Sequence, residues 1–251
     1  MTNYSRRDVS RLVGLGLGAG LLGGATVAGA APASAKTRVA GADRLLPLDH
    51  IVWAVPDLDA GIRTIADLTG IEPVSGGKAP GREQSHNALI SLGDGAYLEI
   101  FSPARAGGGG RWGKVIEDGQ PRIVSYALGV KDRFARLKPA IEAAGYGFTG
   151  PRAMGRVRPD GGAVNWELLN VSGTPLDEAL PFFIDWLGSS PHPSESSPKG
   201  ATIASFTVAH PRADELAAIY RGIGVDTPVL RSNKAAINLV LDTPRGKVWL
   251  S

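Results

Sequence analysis

No cysteine occurs in this 251-residue chain. That excludes disulfide stapling and thiol chemistry and leaves stability to a hydrophobic core. No Gly-x-Ser-x-Gly elbow and no His-Glu-x-x-His motif is present, so serine hydrolase and zinc protease chemistry lack their parts. An excess of one charge is also missing. Three of the 27 basic and one of the 24 acidic residues fall within the first 35 positions, leaving 24 against 23 in the rest. The basic character therefore belongs largely to the N-terminus, and no basic stripe points to nucleic acid. Beyond Ala35 no run is apolar enough to span a bilayer. The roughly 215 residues that follow suffice to bury a core.

What is there begins with Ser5-Arg6-Arg7-Asp8-Val9, then a Gly- and Leu-rich apolar run to about Ala30, then Ala33-Ser34-Ala35. A charged start, an apolar stretch and a small-x-small cleavage site make residues 1–35 a Tat-type signal peptide, with 36–45 as a linker. An uncleaved anchor is the alternative, and the glycines of the run speak against it. The expectation is export by the Tat pathway to an extracellular, periplasmic or cell-wall-associated place, with no membrane span in the mature chain.

The mature chain is organised around Leu48–Ile71, which reads as a strand (His50–Val55), a Pro-Asp turn and an amphipathic helix stopped by Gly70. Gln120–Tyr146 repeats this pattern. Val55 and Val130 are 75 residues apart, as are Gly70 and Gly145. A third copy starts at Ala201. A unit of this length suits a duplicated supersecondary module rather than a solenoid.

Within module one, Glu72–Gly81 reads as a weak curved strand, and His86–Leu92 and Ala96–Phe101 flank Gly93-Asp94-Gly95 as a hairpin. Gly107–Gly110 reads as a linker. Module two continues with helix Asp132–Ala144, a weak strand over Ala153–Arg158, the turn Pro159-Asp160-Gly161, strand Ala163–Val171 and the segment Leu180–Leu187. Ser189–Gly200 reads as a loop, and module three closes with a hairpin around Thr243–Gly246. The fold class expected is α+β: paired βαβββ modules whose curved sheets enclose a cavity, plus a shortened third C-terminal module. Module one spans 46–103, module two 120–188 and module three 201–251.

These paired modules, opened by LDHIVWAVPDLDAGI and closed by AYLEIF, resemble the vicinal oxygen chelate superfamily. With PFFIDW, His192-Pro193 and the VAHP strand end, the chain is most similar to glyoxalase-like domain proteins. The resemblance covers nearly all of the mature chain. It implies metal ligands on the first and last strands of each module, which fall here on His50, Glu99, Ser125 and Asp185. His50, Glu99 and Asp185 would suit a divalent Mn, Fe, Ni or Zn ion acting as a Lewis acid on an oxygenated substrate. Ser125 departs from that pattern. So does Gly76-Gly77-Lys78-Ala79-Pro80, which lacks the His that the group carries there; His86 stands six residues further on.

Glu99 alternates with Leu98 and Ile100, and so faces either a cavity or solvent. It is the candidate catalytic residue. Arg156 and Arg158 suit an acidic substrate group or a solvated strand edge. Trp166 is a pocket wall or a core residue. Asn87 and Asn165 hold matching places in the two modules. His192 and His210, each beside Pro, are turn-shaping or ligand-binding. The candidate substrate-binding set is Arg156, Arg158, Trp166, Asn87, His86 and His192. Two functions stay open: metal-assisted lyase, isomerase or dioxygenase chemistry on a small ligand, or metal-free binding of such a ligand. A scaffold whose cavity its own side chains fill is the bland third reading. The protein is expected to be a monomer or homodimer with a small-molecule partner.

Overall fold

The structure is a computed structural model that describes residues 37–38, 45–77, 85–103, 110–131, 134–158, 161–174, 176, 179–189 and 191–251. The expected signal peptide lies outside these residues, as do positions 78–80 of the Gly-Gly segment, 107–109 of the expected linker and 159–160 of the expected turn.

Strands β1 (Thr37–Arg38) and β2 (Leu45–Leu46) form an antiparallel ribbon. Strand β3 (Leu48–Ala54) is buried from Asp49 onward, as its apolar run requires. Helix α1 (Leu58–Thr69) follows; Asp57 caps it by accepting from the Ala60 N–H, and Gly70 ends it at φ +78. That left-handed conformation favours glycine, which explains the stop. Module one ends with β4 (Val74–Ser75), β5 (Ser85–Gly93) and β6 (Ala96–Pro103). Asp94 and Gly95 turn the β5–β6 hairpin at φ +47 and +80.

A short helix α2 (Gly110–Val115) begins where the sequence reads as a linker. Module two comprises β7 (Arg122–Gly129), α3 (Phe134–Ala143), β8 (Gly147–Val157), β9 (Ala163–Ser172) and β10 (Phe182–Asp185). One turn of helix, α4 (Pro193–Ser196), interrupts the stretch expected to be a loop. The third module contains β11 (Thr202–His210), α5 (Ala213–Ile223), β12 (Val229–Arg231), β13 (Ala236–Thr243) and β14 (Gly246–Leu250).

Modules one and two share an eight-stranded sheet of order β4-β5-β6-β3-β7-β10-β9-β8. The order is mirrored about its centre, where the two opening strands β3 and β7 pair antiparallel. Each opening strand also runs parallel to the last strand of its own module, β3 to β6 and β7 to β10. The shortened third module forms a separate sheet of order β12-β11-β13-β14.

The large sheet curls until its ends meet. A Cβ on Gly77, beyond edge strand β4, would lie 2.5 Å from the carbonyl oxygen of Val157 on edge strand β8. One face is thereby enclosed and the other carries the main core. On the main-core face, Ile51, Ile90, Leu98, Ile100 and Leu128 pack with Ile65 of α1, Ile141 of α3 and Leu216 of α5. Burying each such side chain stabilises the fold by about 1.5–3 kcal/mol. Tyr126 of β7 donates to the Tyr220 hydroxyl on α5 at 2.9 Å, and Tyr220 donates onward to the Ala179 carbonyl at 2.5 Å, tying the third module to the second. Among the described residues no helix is long and apolar enough to cross a membrane.

Gly77 has φ +99 as well as the close approach to Val157. Gly77→Ala is expected to strain the backbone and push the two sheet edges apart, at a cost of about 1–3 kcal/mol. Urea denaturation of the variant against the parent measures the loss.

Candidate functional site

The site starts from an irregularity in the central strand pair. Leu48 pairs with Leu128 and His50 with Ala127, so Asp49 is an extra residue on β3. A bulge of this kind re-aims side chains that strict alternation would send to opposite faces. Asp49 and His50 consequently meet: His50 Nδ1 donates to Asp49 Oδ1 at 2.7 Å. The other carboxylate oxygen accepts from the Trp186 indole at 2.9 Å and from His192 Nε2 at 3.2 Å. Asp49 and His50 are 6% and 3% exposed, so both are buried.

The two histidines carry their protons on different nitrogens. His192 Nδ1 accepts from the Ser194 N–H at 3.2 Å, which leaves Nε2 to donate to Asp49. In His50 the donor to Asp49 is Nδ1, and Nε2 points at Glu99 Oε2 across 3.6 Å. Glu99 reaches this place because Val52 pairs with Glu99 and His50 with Tyr97 on the parallel neighbour. Its other oxygen accepts from the Asn87 amide at 2.6 Å. The chain Asp49–His50–Glu99–Asn87 thus holds one carboxylate, 15% exposed, against an imidazole on one side and an amide on the other.

Arg156 borders the same group. Its Nη1 lies 2.8 Å from the position a Gly76 Cβ would take, and the Asn87 side chain crowds that position from the other side. Gly76 makes room for both. Burial, together with the Asp49 and Glu99 carboxylates, pushes the Tyr97 phenol well above its ordinary value of 10.0, with Arg156 opposing. Tyr97 therefore stays neutral and stacks on His50 at 4.7 Å.

Rings line this face in an unbroken series. Trp166 meets Trp186 at 5.4 Å, Trp186 meets His192 at 5.2 Å, and His192 meets Tyr97 at 5.7 Å. His50 then meets Phe182 at 5.2 Å, and Trp112 of α2 touches both Phe182 and Phe101, at 6.0 and 5.1 Å. Asp49 and His192 also border a surface cleft of about 280 Å³ walled by Pro47, Leu48, Asp94, Gly95, Ser194 and Glu195.

The glyoxalase-like domain family matches residues 48–224. The chain belongs to the glyoxalase-like domain family. A solved structure of a hypothetical protein from Staphylococcus aureus is similar at 19% identity with a TM-score of 0.57, covering 80% of this chain and 83% of that one. Methylmalonyl-CoA epimerase from Mycobacterium tuberculosis is 20% identical with a TM-score of 0.38, over 55% of this chain and 85% of that one. The Streptomyces coelicolor methylmalonyl-CoA epimerase in complex with 2-nitronate-propionyl-CoA is 21% identical with a TM-score of 0.43, over 59% and 100%. No curated protein matches.

In this glyoxalase-like domain the four expected ligand positions are not four ligands. Val52 and Ala127 are a repeat of 75 apart; Val52 pairs with Glu99 and Ala127 with Phe182. Phe182, not Asp185, is therefore the counterpart of Glu99. Phe182 and Ile184 share the His50 face while Phe183 lies in the main core, so alternation turns Asp185 away from His50. Asp185 instead accepts from the Leu187 N–H at 2.9 Å. His50, Glu99, Ser125 and Phe182 present one imidazole, one carboxylate, one hydroxyl and a hydrocarbon ring. That donor set does not fit a divalent centre with three strong ligands. Among the described residues no group of three His, Asp or Glu side chains is placed to hold a metal.

The remaining candidates divide. His50, Glu99, Asn87 and Arg156 come together; His192 and Trp166 stand along the series of rings. Arg158 lies against Gly162 at the β8–β9 hairpin. His86 pairs with Ser102, alternates with Asn87 and is exposed, so it faces away. Sequence reasoning missed Asp49, Tyr97, Trp112, Phe182 and Trp186. The Asp-His pair at the head of β3 was the one available signal for Asp49.

Burial by itself would raise the Asp49 carboxyl; the hydrogen bonds from His192 and His50 outweigh it and lower the group from 3.8 to about 2. A lowered carboxyl stabilises the folded state above its unfolded value, and that contribution disappears as pH falls from about 4 to about 2. A shift of this size is worth roughly 2 kcal/mol. Urea denaturation between pH 2 and 6 should show this loss in the parent protein and a flatter profile in Asp49→Asn.

Proposed function

We propose that this glyoxalase-like protein binds a small oxygenated molecule on the enclosed face of its eight-stranded sheet and that Glu99 accepts a proton from it. The reaction class is proton transfer beside a carbonyl, of the isomerase or lyase kind. The observation that carries this reading is the clasp on Glu99: Asn87 holds one oxygen at 2.6 Å, and the other faces His50 Nε2 at 3.6 Å. A carboxylate oriented in this way is a competent general base, and an imidazole whose unprotonated Nε2 faces it can take the abstracted proton onward. Asp49 keeps His50 in the tautomer that points Nε2 at Glu99.

A second reading, ligand binding without turnover, is favoured by a specific feature. Ser125 and Phe182 stand where module two would repeat the His50 and Glu99 of module one. The test is deuterium exchange. The purified protein is incubated in D2O with a panel of 2-oxo and 3-oxo carboxylates, and C–H loss is followed by NMR, with elemental analysis of the same sample. Exchange in the parent that falls about 100-fold or more in Glu99→Gln supports proton transfer. Exchange that is absent throughout the panel sinks it and leaves the binding reading. A stoichiometric divalent ion lost in His50→Ala would restore the metal-centred reading.

We propose export as well, from the twin-arginine leader at residues 1–35. N-terminal sequencing of protein recovered outside the cytoplasm should start near Lys36, and replacement of Arg6 and Arg7 by Lys should keep the protein inside.

A further inference from the structure

We infer that Arg156, Trp112 and Ser125 form an anion subsite beside Glu99, suited to the carboxylate of a small molecule with a flat apolar body. The inference rests on the binding of a small molecule at this face and names the class of that molecule. It starts from unsatisfied groups. Among the described residues four buried side-chain polar atoms lack a hydrogen-bond partner: Trp112 Nε1, Ser125 Oγ, Arg156 Nε and Thr227 Oγ1. Buried donors without acceptors weaken a fold, and native structures keep few of them.

Three of the four belong to the enclosed face. Trp112 packs on Phe101 and Phe182 within the cluster that includes Val52. Ser125 pairs across the sheet with Val52, which itself pairs with Glu99. Arg156 is two residues from Met154, the partner of Trp166, and its guanidinium adjoins Asn87, the residue that holds Glu99. Asn87 in turn pairs with Phe101, on which Trp112 rests. Arg156 and Trp112 thus flank one cross-strand pair. Three elements, β7, β8 and α2, each carry an unpaired donor on the face that holds Glu99.

The chemistry of these atoms selects the ligand. Arg Nε and Trp Nε1 donate and cannot accept, so what meets them carries acceptor oxygens. A guanidinium edge fits a planar two-oxygen group, and its positive charge favours an anion. The surrounding rings of Phe101, Trp112 and Phe182 make a phosphate dianion costly to dehydrate and give an apolar, flat body a surface to lie on. A carboxylate satisfies both demands.

The probes are phenylacetate, benzylphosphonate and phenylacetamide, which share a body and differ in head group, titrated into the purified protein by calorimetry. Phenylacetate is expected to bind more tightly than the other two. Arg156→Gln should weaken phenylacetate about tenfold or more and leave phenylacetamide within about twofold. Ser125→Ala removes an unpaired donor with little change of volume, so the thermal midpoint of the ligand-free protein should rise while phenylacetate affinity falls. A purely structural role would lower that midpoint instead. The subsite is overturned if phenylacetate fails to bind, if phenylacetamide or benzylphosphonate binds as tightly, or if Arg156→Gln weakens all three alike. Phenylacetate binding needs no proton transfer, so the two readings fail separately. Binding with no deuterium exchange on any oxo acid overturns the role of Glu99 alone. Exchange that survives with Arg156→Gln indifferent overturns the subsite alone.

Discussion

A buried carboxylate constrains everything around it. Asp49 is buried at the edge of a cleft, and a charge in that position is tolerable only when donors replace most of its hydration. Three do: the imidazole of its neighbour His50, the indole of Trp186 just past β10, and the imidazole of His192 ahead of α4. These come from chain segments more than 130 positions apart. Satisfying one carboxylate therefore folds the end of module two over the start of module one. It also sets the tautomer of His50, and through it the direction in which the remaining ring nitrogen faces Glu99.

Closure of the sheet separates two kinds of interior. The outer face packs α1, α3 and α5 into the main core, where apolar burial sets stability. The enclosed face holds a smaller cluster, a run of aromatic rings, a clasped carboxylate and donors without acceptors. Glycines at 76 and 77 let the opposite sheet edges approach, one making room for Asn87 and Arg156, the other for the backbone of Val157. A face that carries unsatisfied donors is less stable than one filled with hydrocarbon.

The two paired modules have diverged. Module one keeps an imidazole and a carboxylate at equivalent places on its parallel strand pair, and module two presents Ser125 and Phe182 there. The backbone symmetry survives because it is held by strand pairing and apolar contacts that do not depend on those two positions. The chemistry has become one-sided. The third module keeps the strand–helix opening but places its first strand between the second and third, and it serves the core through Tyr220, Phe206 and Leu239.

Local patterning determined the modules, their 75-residue repeat, the Asp-Gly hairpin and the Gly70 helix stop, because alternation, helical periodicity and turn chemistry act over a few residues. It also placed His50 and Glu99 in phase, since both sit on regular strands of one module. Tertiary structure decided the rest. Laying Asp185 on Glu99 errs by three residues, and with a period of two an odd slip reverses the face. The bulge at Asp49 exists only in the pairing of β3 with β7, so no reading of β3 by itself brings Asp49 against His50. Trp112 lies in a glycine-rich stretch with no periodicity of its own, and only packing on Phe101 and Phe182 brings it to the site. Arg156 and Arg158 look alike in sequence; the approach of β8 to Gly76 brings one beside the Asn87 side chain and leaves the other at a hairpin. Elements come from neighbours in the chain, and a site comes from contacts between distant ones.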